Sequence, residues 1–306
     1  MHRRAFLGTL AAAPLLAAPR PRQIIDTHTH FYDPSRPAGV PWPGKGEKIL
    51  YRTVLPKEFA AMARPFGVAG TVVVEASPWL EDNQWVLELA ADNPIIVGLI
   101  GHLSPGEPEF RNHLERFSKN KLFRGIRLGE NALLEGLGKP AFLDDMKRMA
   151  GHGQTLDLNV GVPALPAIGT LATALPDLPI VIDHLPYAPL PDDRTVAAYN
   201  EGLSRLKPYP RVFAKVSWVL RRVNGVTSTN PATYRPRLET LWTTFGEDRL
   251  VYGSNWPVSD LVAPYGDVHK IVREFFAGKG QQATEKYFWR NSITAYNWIS
   301  RGAAHR

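Results

Sequence analysis

The sequence predicts an α/β protein built as a single (β/α)8 barrel of the TIM-barrel type, and three observations carry that prediction. Short apolar, β-branched runs recur eight times between residue 23 and residue 254. Amphipathic stretches of helical period separate most of them, the alternation expected of parallel strands joined by crossover helices. The turn after the first run reads "THTHFYDP", whereas an open, doubly wound sheet usually has a glycine-rich phosphate turn there.

The strands expected in the first half are "QIIDTHTH" (23–30), "GTVVVEA" (70–76), "IIVGLIGH" (95–102) and "FRGIRL" (123–128). Those of the second half are "TLDLNV" (155–160), "LPIVIDH" (178–184), "RVFAKVS" (211–217) and "RLVYGS" (249–254). Helical patterns occupy 80–93, 141–153, 234–246 and 282–299. The linker "DPSRPAGVPWPGKGEKILYR" is dense in proline and glycine and reads as an ordered loop of the barrel mouth, not a boundary between domains. One barrel over residues 23–306 accounts for the chain after its first 22 residues.

Those first residues, "MHRRAFLGTLAAAPLLAAPRPR", have a basic start and an apolar run too short to span a bilayer. Arg3-Arg4 followed by Phe6-Leu7 resembles a twin-arginine export signal, which carries folded proteins. Residues 1–22 are therefore expected to be an export leader, giving a periplasmic or otherwise exported protein with no stable membrane association afterwards. The net charge of +7 includes four arginines of this leader, and the other charges are mixed in sign with no basic run. That distribution argues against a nucleic-acid partner. With no cysteine, catalysis falls to histidine, carboxylates, other polar side chains or a metal.

In such a barrel the site gathers at the C-terminal ends of the strands. His28 and His30 end the first strand; residues two apart share a face about 7 Å apart along the backbone and can converge on one ion or oxyanion. A lone histidine is more often structural, but the pair favours function, and His184 ends the sixth strand at matching height. Alternation turns Asp183 the other way unless the strand bends there. Glu75, Arg124, Arg127, Asp157 and Lys215 sit on other strands, where charge is costly unless paired or liganded; together they suggest a polar cup. Trp42, Trp79, Trp218 and Trp256 lie in mouth loops or just after strands, placed to stack on a ring-shaped substrate or to pack the rim.

The ordered set "DTHTHFYDP", "FRGIRL", "LDLNV", "VIDHLP", "KVS" and "GSNWPVS" resembles the amidohydrolase-related family, in particular its branch of sugar-acid and pyrone-dicarboxylate lactonases. The resemblance covers about residues 24–300 and implies a hydrolase, commonly metal-dependent, that opens a lactone of a sugar acid or aromatic acid. Decarboxylation, or a catalytically inactive ligand-binding barrel, is the alternative. By resemblance, His28, His30 and His184 are the catalytic histidines and would hold a divalent metal such as zinc, with no organic cofactor. Arg124 and Arg127 would grip the carboxylate of an acidic lactone, with Glu75, Asp157 and Trp256 lining the substrate. Asn255 falls where the family places an aspartate. A carboxamide takes up no proton near neutrality, so it can orient water but cannot be the general base. Proton acceptance would then pass to a neighbouring histidine, with Glu75 or Asp157 as other carriers.

Overall fold

The computed structural model describes residues 19–185, 192–302 and 305. The expected leader motif at Arg3-Arg4 lies outside the described residues. All eight expected strands form, in chain order, as β1 (Ile24–Thr29), β2 (Val68–Val74), β3 (Ile96–Gly101), β4 (Phe123–Gly129), β5 (Thr155–Asn159), β6 (Ile180–Leu185), β7 (Val212–Val216) and, after a small hairpin, β10 (Leu250–Tyr252). The hairpin strands are β8 (Arg222–Val223) and β9 (Val226–Thr227). The main sheet is parallel throughout, in the order β1-β2-β3-β4-β5-β6-β7-β10. It closes just beyond β10, where Asn255 N donates to His28 O at 2.9 Å and His30 N donates to Trp256 O at 2.9 Å. No helix of the described residues is long and apolar enough to cross a membrane.

The crossover helices follow from apolar stripes that cover the outside of the sheet. Leu87 and Ala90 of α2 (Leu80–Asp92), Met146 and Met149 of α5 (Pro140–Gly151) and Leu238 and Leu241 of α8 (Pro231–Phe245) are buried in one continuous layer with the outward strand residues. The barrel interior is a separate cluster that includes Ile25, Val72, Val74, Val97, Ile100, Val181, Phe213 and Val251. Polar residues cap it above.

Below, the C-terminal segment plugs the barrel. The expected helix over 282–299 is broken into α10 (Gln281–Glu285), a π turn (Lys286–Arg290) and α11 (Asn291–Tyr296). Asn297 adopts φ +46° and stops the last piece. Tyr296 and Trp298 then pack into the interior cluster. Arg301 donates to the carbonyls of Ala90, Asn93 and Ile96, and His305 Nε2 lies 2.9 Å from Ala69 O. Upstream, the backbone N–H groups of Arg20 and Arg22 bond to Gln281 and Glu285. The boundary read at residue 22 thus falls inside a segment packed on α10.

Candidate active site at the barrel mouth

A strand with strict alternation would send His28 and His30 to the face opposite Ile25. The structure brings all three inward, because the pairing of β1 with β2 slips between Asp26 and Thr29. A slip of one residue moves the following side chains to the other face. His28 and His30 are buried, their Nε2 atoms 3.2 Å apart. His30 Nδ1 lies 3.0 Å from Val74 O, an acceptor, so that nitrogen carries the proton and Nε2 presents its lone pair.

On β6 the expectation for Asp183 is corrected. Val181 and Asp183 both face the interior, and it is His184 that breaks alternation, with φ +59°. Backbone in the left-handed region is costly for a residue with a side chain and is held there by its surroundings. Here the peptide N–H and Nδ1 of His184 both meet Ser217 Oγ, at 3.2 Å and 3.0 Å. The consequence is that neighbouring residues reach the same place: donor atoms of His28, Asp183 and His184 lie within 4.8 Å of one another. The His28 and His184 rings are 4.5 Å apart between centroids. Trp218 (φ +47°) and Asn255 (φ +61°) share the left-handed conformation at the ends of β7 and β10.

Beneath them lies a buried charge cluster. Lys215 Nζ is 2.5 Å from Asp157 Oδ2, 2.9 Å from Asp183 Oδ1 and 3.2 Å from His28 Nδ1. Burial would raise the Asp183 carboxyl, but Lys215 and then His28 overcome it and hold Asp183 ionised, well below the usual carboxylate range. Asp157 goes the other way: burial outweighs Lys215 and pushes it up to about 7. Burial also lowers the imidazoles, His30 to about 4 and His184 to about 3, and His28 well below its ordinary value, aided by Lys215. At neutral pH the site therefore holds three uncharged imidazoles beside one firmly ionised carboxylate.

The remaining expected residues separate. Asn255 is buried beside His30, and its Oδ1 has no hydrogen-bond partner. Glu75 and Arg127 reach the mouth as a pair: Arg127 Nε donates to Glu75 Oε1 at 2.9 Å and Nη2 to Glu75 O at 3.1 Å. Asp157 is brought under the histidines, held by Lys215 and by Tyr296 Oη at 3.3 Å, so it supports the site from below and does not line it.

Arg124 is a correction. Its guanidinium turns to the bottom of the barrel and bonds the carbonyls of Lys121, Gly153 and Tyr296, each at 3.1 Å. Gly125 separates it from Arg127, and a Cβ at Gly125 would stand 1.9 Å from Thr155 O. Trp256 is a second correction. It packs outward against Phe59 of α1 (Pro56–Ala63), with ring centroids 5.4 Å apart, and is only 2 % exposed. The bridge between Thr29 and Trp256 that closes the barrel fixes that direction. Of the four tryptophans expected near the mouth, Trp42 and Trp218 lie against the histidines, their rings 5.9 Å from His30 and 5.7 Å from His184.

The donor set suits a divalent metal. His28 Nδ1 can accept from Lys215 or donate to Asp183 Oδ1, 3.5 Å away. In the second tautomer the Nε2 lone pairs of His28 and His30 face each other at 3.2 Å, about the spacing of two imidazoles that share one zinc ion at roughly 2.1 Å. His184 offers Nε2, since Nδ1 is engaged with Ser217. Asp183 Oδ2 and Asn255 Oδ1 are buried acceptors without partners, which a buried site does not leave unused without reason. The residues fit such an ion.

Comparison with known proteins agrees with this geometry. The chain is 29% identical over 251 residues to an L-fucono-1,5-lactonase of Burkholderia ambifaria, covering 79% of this chain and 83% of that one. An amidohydrolase of Burkholderia multivorans solved with bound zinc superimposes with TM-score 0.81 at 22% identity, over 90% of this chain and 99% of the other. A putative 2-pyrone-4,6-dicarboxylic acid hydrolase from Pseudomonas putida superimposes with TM-score 0.69 at 21% identity, over 90% and 98%. The family model described as Amidohydrolase matches residues 25–298, which is nearly all of the barrel, and the chain belongs to the amidohydrolase family.

Proposed function

We propose that this barrel is a hydrolase that opens a lactone by attack of water at the mouth. The observation that carries the proposal is the ionised Asp183 carboxylate among His28, His30 and His184, with the unpartnered Oδ1 of Asn255 alongside. The relatives named for lactone hydrolysis support it. A divalent metal held by His28, His30 and His184 would supply Lewis-acid polarisation of the carbonyl and activation of water, leaving Asp183 Oδ2 for the proton.

The chain's own contribution is to place charge and protons. Asn255 Oδ1 accepts a hydrogen bond from the attacking water and aims it. Asp183 Oδ2 takes the proton that Asn255 cannot, and returns it to the ring oxygen as the ester bond breaks. The carboxylate that the last strand lacks is thus supplied from β6, where Asp183 follows Val181 inward and the left-handed turn brings His184 beside it. Arg127 Nη1, which neither bond to Glu75 uses, donates to the developing oxyanion. Val74 O fixes the tautomer of His30, and Ser217 Oγ holds the orientation of the His184 ring.

Proton release from a panel of aldonolactones and pyrone carboxylates, with and without added zinc, tests this. Asp183→Asn should lower kcat by about 10²–10⁴, Asn255→Ala by less, and Asn255→Asp should keep turnover. Full turnover in Asp183→Asn, or in His28→Ala, would remove the assignment. We also propose that residues 1–22 export the protein; cell fractionation of an Arg3→Lys, Arg4→Lys variant should find it retained in the cytoplasm.

A further inference from the structure

We propose that Trp42, Trp218 and Glu75 form a clamp that selects an uncharged, hydroxylated ring over a carboxylated one, an inference that rests on the lactone reading above. Trp42 and Trp218 stand over opposite members of the histidine group, edge-on to His30 and His184 with interplanar angles of 66° and 74°. Neither ring is free to swing. Trp42 packs edge-on against Tyr32 at 5.4 Å. The cavity it lines, together with Phe31, Glu75 and Trp85 among others, is about 10 Å³, room for about one water. The loop that carries Trp42 is tied down by Arg36, which bonds Asp82 at 2.9 Å and lies 4.4 Å over the Trp85 ring. Trp218 is backed by Arg221, whose guanidinium lies 4.1 Å over the indole.

Two fixed aromatic walls suit a ring with C–H faces. The polar groups between them are suited to hydroxyls. The Trp218 indole N–H is buried without an acceptor, and an unmade buried donor is costly until a ligand meets it. Glu75 accepts from Arg127 through Oε1 and from the Ser77 backbone, and its two oxygens keep further lone pairs for a hydroxyl.

Charge decides against a carboxylated substrate. Arg127 is neutralised by Glu75, and Lys215 is shared by Asp157 and Asp183. Arg124 is at the far end of the barrel. Arg221 has no acid partner among the described residues, but its guanidinium is spent on the Trp218 ring and the carbonyls of Trp218 and Leu220. Among the described residues, no cation above the histidines is without an acid partner or carbonyls of its own, and the N–H that Arg127 keeps free is the one that meets the oxyanion.

The test is kcat/KM for three substrates: a fully hydroxylated six-membered aldonolactone, unsubstituted δ-valerolactone and 2-pyrone-4,6-dicarboxylate. The wild type should prefer the hydroxylated lactone, and Glu75→Gln and Trp218→Phe should each raise its KM about 10-fold or more, the value of one strong hydrogen bond. The same variants should lower kcat/KM for δ-valerolactone by a clearly smaller factor, so that the preference for the hydroxylated lactone falls; a merely structural role would lower both alike. Trp218→Phe keeps the ring and the fold if Glu75→Gln unsettles Arg127. Preference for the dicarboxylate, or an equal effect of both variants on both lactones, overturns the clamp while lactone opening stands. A folded wild type that opens none of the three overturns both.

Discussion

Lys215→Met removes the one ammonium group from a fully buried cluster while keeping most of the side-chain volume. The structure sets the size of the effect. Lys215 is 0 % exposed and lies within ion-pair distance of both Asp157 and Asp183. Without it, Asp157 keeps only Tyr296 Oη at 3.3 Å, and Asp183 keeps His28 Nδ1 at 3.5 Å. Removing one partner of a buried ion pair costs about 3–5 kcal/mol, because the other charge stays buried and unpaired. With an unfolding entropy of roughly 2.1 cal/mol/K per residue over about 280 ordered residues, that lowers Tm by about 5–8 °C. The pH dependence gives a sharper test. In the variant both carboxyls lose their cation, so their folded values rise above the unfolded value. The folded state then binds the extra proton, and stability falls as pH climbs from about 4. Thermal melts followed by circular dichroism at pH 5 and pH 8 should therefore show the larger loss at pH 8. A loss below about 1 kcal/mol, or the same loss at both values, would refute the charge account. Asp157→Asn placed in the Lys215→Met background should recover part of the loss at pH 8.

Three other outcomes are expected. His269 of α9 (Tyr265–Ala277) is held uncharged, down to about 4, first by burial and then by Arg273, among the rings of Phe66, Tyr252 and Phe288. Its folded value is below the unfolded one, so stability is complete above about pH 6.5 and falls by about 3 kcal/mol as pH drops toward 4; His269→Phe should flatten that part of the profile in urea titrations. Arg124→Met should lower Tm, since it frees three carbonyls at the barrel floor, yet leave KM for any substrate unchanged; a KM shift at constant stability would return Arg124 to the substrate. Gly125→Ala should destabilise by about 3 kcal/mol or more, because its Cβ would meet Thr155 O at 1.9 Å and the sheet would have to part; a wild-type melting curve would show that β4 and β5 yield easily there.

The barrel was legible because its signal is repeated: eight β-branched runs fell within a few residues of the observed strands. His28, His30 and His184 were legible from residue type and position at strand ends. What escaped were departures from alternation, each set by a contact distant in sequence. The slip in β1 depends on pairing with β2. The left-handed His184 depends on Ser217, 33 residues later, so nothing local showed that His184 could join Asp183 on the inner face. Arg124 and Arg127 looked alike in "FRGIRL", but they lie at different heights in the barrel, and only the floor carbonyls show which end Arg124 serves. Trp256 looked like a rim residue because nothing local reveals that its backbone is the seam closing onto β1.

The plug under the barrel orders events in time. β1 to β3 can emerge and pair early, but their lower ends stay uncovered until residues 297–305 supply Trp298, Arg301 and His305. The seam between β1 and the segment after β10 likewise joins residues more than 220 positions apart, and contacts this distant form late. Folding therefore cannot finish domain-fashion during synthesis; the oldest part of the chain waits for the newest. Under the export proposed above, assembly of the floor would be the event that readies the cargo for transport. Any extension fused beyond residue 305 would intrude on that step before it reached the chemistry at the other end.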